Sequence, residues 1–241
     1  MKEPTLEAVS ETLLGARAYR ALWNDIVRGR IEFGAQLRPD TIAEQLDIST
    51  TPVREALHRM ERDGLIVKLP YRGWFVREFS EQEVRELYEM RAALESFSVG
   101  RACERITEEE LAWLRQHQSA GEAALKTGDM EAYWIYNRDL HAAIVEAAKN
   151  SYLSSAMGQL TLQSQMLMVR TIRLVGRPSR AIEEHRDLIE LIADRNGKAA
   201  EALMERHILS ALEDILRFGI SKPAGDAGTS AGDMKKSGAG S

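Results

Sequence analysis

The chain has 241 residues, 44% hydrophobic and 29% charged, with a formal net charge of −5 and one cysteine, Cys103. That length leaves room for two small domains, and no run approaches the ~20 apolar residues of a membrane-spanning helix. One cysteine allows no intrachain disulfide, and the acidic balance argues against a chain that grips nucleic acid throughout.

Residues 1–15, MKEPTLEAVSETLLG, form an acidic leader, whose Leu6, Val9 and Leu13 allow a helix, without the basic start and apolar core of a secretion signal, so the chain is expected in the cytoplasm, with no membrane partner. A first helix is predicted from Ala16 to about Arg28, with Leu22, Ile26 and Val27 turned inward, followed by a loop over Arg30 to Pro39. Thr41 to Asp63 then reads as two short helices around a corner at Asp47-Ile48-Ser49. The first keeps Ile42, Ala43 and Leu46 on one face. The second starts at Thr51-Pro52, a hydroxyl cap with proline in the first turn, and keeps Val53, Ala56, Leu57 and Met60 at i, i+3, i+4 and i+7. Arg54, His58, Arg59 and Arg62 fall outside that stripe. Either this is a helix-turn-helix with a basic reading helix or a helical hairpin with a solvated face. Two β-type runs, Leu65 to Leu69 and Gly73 to Arg77, flank the turn Pro70-Tyr71-Arg72-Gly73 and make a hairpin with a basic tip, the wing of a winged helix-turn-helix. From Thr12 to Phe79 eleven Lys and Arg face nine Asp and Glu, so the basic residues gather on the reading helix and wing of an acidic chain.

From Ser80 to Ile220 only helical patterns recur. Ser80 to Glu83 and Thr107 to Glu110 are capping boxes, Asp129 caps a third helix, Asn150-Ser151 opens a fourth and Pro178 lies in the first turn of a fifth. Asn196-Gly197 separates a sixth, ending at Gly219. The fold class is therefore mainly α: an N-terminal winged helix-turn-helix over 16–79 with a small β-hairpin wing, and an antiparallel six-helix bundle over 80–220. Residues 221–241 are too poor in apolar side chains to fold and are expected to be a disordered tail.

Polar residues on the apolar stripes carry the functional signal of the bundle. Asn137 and His141 share the inward face of the third helix with Tyr133, Leu140 and Ile144. His185 interrupts the stripe of the fifth helix and His207 that of the sixth. His185 lies 11 residues before Asn196 and His207 lies 10 after Gly197. At ~1.5 Å per residue both then stand about 15 Å from the turn, facing each other. Three histidines and an asparagine in one core suggest a divalent metal site; the alternative is four separately satisfied polar groups. Arg91 lies on the inward face of the bundle's first helix and needs an anion: Glu95 at i+4, or the carboxylate of an effector held near the metal. No stripe places a carboxylate beside the four candidate ligands, as a metal-dependent enzyme would need for its general base. His58 and His117 read as surface residues. The tryptophans and the Met157, Met166 and Met168 group read as packing.

The run STTPVREALHRMERDGLI followed by LPYRGWFVRE resembles the N-terminal domain of the GntR family of bacterial transcription regulators, over about Ala18 to Glu78. Behind it, Asn137-x-x-x-His141, His185-Arg186 and His207 resemble the FCD ligand-binding domain of the FadR-like branch, and more narrowly the six-helix VanR-type subgroup. The family usually carries arginine at the position of Thr50, proline at that of Phe33 and, frequently, aspartate at that of Asn137. The resemblance implies a homodimeric DNA-binding regulator, a repressor rather than an enzyme, on a pseudo-palindromic double-stranded operator. Arg38, Ser49, Thr50, Thr51, Arg54, Arg59, Tyr71, Arg72 and Gly73 would meet the DNA. Asn137, His141, His185 and His207 would bind zinc, nickel or a similar ion, with Asn137 the weaker, neutral oxygen ligand. Arg91 would receive a small carboxylate effector. A metal-dependent enzyme with a DNA-binding head, and a metal-stabilised regulator without an effector, are the alternatives.

Overall fold

In the computed structural model the backbone is described for residues 6–171 and 176–218, which excludes the predicted Gly219 cap and the tail. The first helix, α1 (Leu6–Val27), begins ten residues earlier than Ala16, so the later part of the leader is continuous with it. α2 (Pro39–Leu46) and α3 (Thr50–Arg62) form the helix-turn-helix, with Asp47 in the left-handed conformation closing α2. α3 begins one residue before the expected cap. Ser49 occupies the cap position, without a side-chain hydrogen bond, and Pro52 lies in the first turn where no helical N–H bond is lost.

The segment read as a loop contains a short strand, β1 (Gln36–Leu37), beside the hairpin β2 (Ile66–Leu69) and β3 (Gly73–Val76). The antiparallel order is β1-β3-β2, with Gln36 opposite Phe75 and Lys68 opposite Trp74. Leu22, Ile26, Leu37, Val53, Leu57, Met60, Ile66, Trp74 and Val76 close one core beneath it. Phe33, at the usual proline position, packs its ring 6.1 Å from that of Phe79.

Six helices follow, α4 (Glu81–Arg105), α5 (Glu108–Thr127), α6 (Met130–Ala147), α7 (Ser151–Thr171), α8 (Arg177–Ala193) and α9 (Gly197–Phe218). Both capping boxes form, and the Asp129 carboxylate accepts from the Ala132 N–H at 3.0 Å. α4 is buried on several sides and lies closest to α9, where Gly100 leaves no room for a Cβ beside Glu201. The winged domain meets the bundle through Arg28 with Glu131, and through Arg77, which bridges the Gly64 carbonyl (3.4 Å) and Glu83 (2.7 Å). Gly158, inside α7, has helical geometry and open space where a Cβ would stand. Gly158→Ala should therefore raise stability by about 0.5–1 kcal/mol, read as a higher urea midpoint with an unchanged slope.

Candidate metal centre and nucleic-acid interface

The expected histidine cluster forms. His141 from α6, His185 from α8 and His207 from α9 are all buried, and one nitrogen of each lies within 4.8 Å of the others. His185 Nε2 and His207 Nε2 are 3.2 Å apart, as the matched distance from the turn requires.

Hydrogen bonds on the outer side of each ring set the tautomers. His141 Nδ1 stands 2.5 Å from Glu95 Oε2, and His207 Nδ1 stands 2.6 Å from Glu184 Oε2. A carboxylate only accepts, so both Nδ1 atoms carry the proton. His185 is held by a longer chain. The Gln118 amide donates to Glu122 Oε1 at 3.0 Å and to the Ile182 carbonyl at 2.9 Å, which turns its Oε1 toward Tyr136. The Tyr136 hydroxyl donates to that oxygen and so accepts from His185 Nδ1, 3.0 Å away. All three Nε2 atoms then point lone pairs inward. Two such nitrogens at 3.2 Å repel unless a cation or proton lies between them, so the donor set fits a divalent ion with its outer hydrogen bonds already in place. The three histidines would hold the ion, which would supply a Lewis-acidic anchor for an anionic oxygen.

The surrounding carboxylates correct the sequence reading. Glu95 and Glu184 both reach the histidines, Glu95 from the middle of α4 and Glu184 from the flank of α8. Neither is placed as a general base, since each holds a ring from its far side. Glu95 also accepts from Arg91 Nε at 2.8 Å. Burial opposes its ionisation, but Arg91 and His141 hold its carboxyl down at about 2. Arg91 thus has the intrachain partner that was one of its two readings, and it also lines a cleft of about 390 Å³, solvent at its mouth included. Asn137, His141, His207, Tyr133 and a second buried guanidinium, Arg177, line that cleft too, whereas His185 is fully buried and does not line it. Asn137 is buried, and its amide lies 2.9 Å from Met168 Sδ. Arg177 escapes the sequence reading because it belongs to the first turn of α8. Tyr136 escapes because an inward tyrosine looks like packing; its ring lies flat on Gly121, where a Cβ would stand 2.5 Å from it. His117 is not a free surface residue: it stacks on Trp113 at 4.4 Å and its Nε2 is 3.2 Å from the Tyr136 carbonyl.

Burial first, then the neighbouring histidines and Arg177, keep His185 and His207 well below the ordinary value of 6.5. Both are neutral in the fold, whereas the unfolded chain takes up protons near 6.5. Their contribution is complete above that value and lost as pH falls below it. Chelator-treated protein should therefore lose stability from about pH 7 to about pH 5 in urea titrations, and His185→Phe should flatten the profile.

On the winged domain, Arg54 is exposed and makes no hydrogen bond or ion pair among the described residues. Ser49, Thr50 and Thr51 stand beside it at the start of α3. Arg38 precedes α2, with its Nε on Gln36 Oε1 at 3.2 Å. Tyr71 is fully exposed at the wing tip with φ 60°, Gly73 follows with φ 91°, and Arg72 rests over the Phe75 ring. Arg59 departs from the group. Its guanidinium lies 4.6 Å from the Tyr19 ring on α1 and 4.0 Å from Asp63, at the far end of α3.

A winged helix-turn-helix with an unengaged arginine on its second helix, joined to a histidine-centred helical bundle, defines a two-domain transcription regulator. Known proteins agree with that class. Residues 14–76 match the bacterial regulatory proteins of the gntR family, and residues 86–210, just over half the chain, match the FCD domain. The chain belongs to the GntR family, with an FCD domain behind its DNA-binding head. It is 30% identical to the Nta operon transcriptional regulator of Aminobacter aminovorans over 77% of this chain and 86% of that one. It is 25% identical to the HTH-type transcriptional repressor RspR of Escherichia coli K12 over 82% and 86%. Among solved structures, E. coli McbR/YncC superposes with a TM-score of 0.73 at 23% identity, covering 86% of this chain and 99% of that one. A GntR regulator from Rhodococcus sp. RHA1 gives 0.71 at 20%, covering 84% and 97%. These two likenesses concern the fold. No described helix is long and apolar enough to cross a membrane.

Proposed function

We propose that the protein is a cytoplasmic homodimeric repressor whose hold on a pseudo-palindromic operator is set by a small organic acid bound beside a divalent metal. Residues 16–79 read the DNA and residues 80–220 hold metal and effector. The observation that carries this reading is the convergence of three tautomer-locked histidines, two of which line a cleft that also contains two guanidiniums. The metal, zinc, nickel or similar, is bound by His141, His185 and His207, with Asn137 as a weaker fourth ligand. Arg91 receives the effector carboxylate, with Arg177 opposite.

Arg54 with Ser49, Thr50 and Thr51 enters the major groove, Arg38 meets a phosphate, and Tyr71, Arg72 and Gly73 approach the minor groove. Arg59 steadies α3 against α1 and contributes to DNA binding through that placement. One reading helix covers few base pairs, so specificity calls for two half-sites. The outer face of α4 supports a partner copy there, since Met90 and Phe97, at i and i+7, are 52% and 46% exposed. Light scattering should give a dimer at micromolar concentration, and Phe97→Glu should give a monomer with weakened operator binding.

The regulatory reading is tested by titrating organic acids into the metal-loaded protein on its operator. An acid that shifts DNA affinity only in the metal-loaded protein supports it. Metal binding with no response to any acid would leave a metal-stabilised regulator instead, and turnover of an acid would point to an enzyme.

A further inference from the structure

α7 has two working faces. Met157, Thr161, Gln165 and Met168 turn one of them onto a second cleft, of about 710 Å³ with solvent at its mouth included. The Arg91–Glu95 pair of α4 and His141 and Val145 of α6 close its other sides. About 220 Å³ of it is enclosed space, less than the roughly 300–1,000 Å³ of drug-sized sites, so it suits a compact molecule. It shares Arg91, His141 and Met168 with the metal cleft, but the rest of its lining differs. Arg91 and Glu95 neutralise each other, and Arg138 at its edge is taken by Asp139 at 2.7 Å and by the Trp134 ring. Gln165 is 6% exposed, and its amide has no hydrogen-bond partner among the described residues. Gln165 lines the cleft, so a ligand group there can take up a hydrogen bond to its amide.

On the opposite side of α7, Gln159 and Gln163 press on Gly64, just beyond the end of the reading helix α3. Gly64 has φ +72°, and the side-chain amide of Gln163 fills the place of its missing Cβ.

We propose that the α4–α6–α7 cleft binds a second small molecule, uncharged and largely apolar with one hydrogen-bonding group for Gln165, and that α7 carries its occupancy to the end of α3. A ligand seated there displaces the inner face of α7, and Gln159 and Gln163 move against the Gly64 corner. The link to the operator rests on the reading of the head as the DNA-binding unit; the site itself does not.

The probe is 2-naphthol, a neutral fused ring with one hydroxyl, followed by its own fluorescence on the full chain, with naphthalene as the analogue lacking the hydroxyl. Saturable binding is expected with and without metal. Gly158→Trp, which fills the mouth where a Cβ meets no atom within 4 Å, should weaken binding at least about 10-fold. Gln165→Leu should keep naphthalene binding and remove the preference for naphthol. Hydrogen exchange over residues 58–66 should change when naphthol binds, and stay unchanged in the Gln159→Ala, Gln163→Ala double variant, which still binds it. No saturable binding, or equal binding in folded Gly158→Trp, overturns the site. Binding without any exchange change at 58–66 overturns the transmission. Naphthol binding by a protein that binds no DNA would sink the regulatory reading and leave the cleft standing.

Discussion

His207→Ala should empty the metal centre. It removes one of three inward Nε2 donors and leaves His141 and His185 as a pair too weak to hold a divalent ion at ordinary concentrations. At metal 100-fold above its dissociation constant the ion stabilises the fold by about 2.7 kcal/mol, and the variant should lose that increment while its metal-free form stays folded. The outer hydrogen bonds give a graded series that a merely structural cluster would not follow. Tyr136→Phe leaves the His185 Nδ1–H without its acceptor and should weaken metal about 10- to 100-fold, in addition to about 1–3 kcal/mol lost from the metal-free fold by the orphaned His185 and Gln118 groups. Glu184→Gln should act in the same direction at His207. Asn137→Asp should tighten binding by adding a charged oxygen. Elemental analysis and competition with a chelating dye rank the variants. Wild type without metal under replete conditions, or His207→Ala with a full complement, would remove the site.

Much of this centre is legible in the sequence, because burial on a helix repeats every 3.6 residues and a histidine on an apolar stripe stands out. The level of His185 with His207 follows from counting outward from Asn196-Gly197, and the 3.2 Å approach agrees. What periodicity does not contain is reach across helices. Glu184 is off the stripe of α8, yet its side chain spans to His207 on α9; Glu95 lies on α4, and only the packing of α4 against α6 brings it to His141. The same holds for β1, whose two residues are too few to show alternation and pair only because β3 lies beside them. α1 begins at Leu6 because Leu6, Val9 and Leu13 continue its pattern without a stop signal before Ala16. On α3 the period locates the outward arginines, but it cannot tell that Arg59 lies over Tyr19 whereas Arg54 is left to solvent.

That difference sets the second large effect. Arg54→Ala should cost operator binding about 1–3 kcal/mol per half-site if the guanidinium reads a base, and twice that for a dimer that carries the change in both reading helices. The loss should come with relaxed preference at one symmetric pair of positions, because a bidentate base contact discriminates and a phosphate contact does not. Arg72→Ala at the wing tip should weaken binding evenly across sequences and flatten the salt dependence by about one unit for each phosphate no longer neutralised. Arg59→Ala should instead lower the stability of the head, since it removes the group lying between Tyr19 and Asp63, and its effect on DNA should track that loss. Titrations against a randomised operator at two salt concentrations, beside urea melts of each variant, separate the three. Unchanged affinity and unchanged base preference in Arg54→Ala would move the reading surface away from the start of α3.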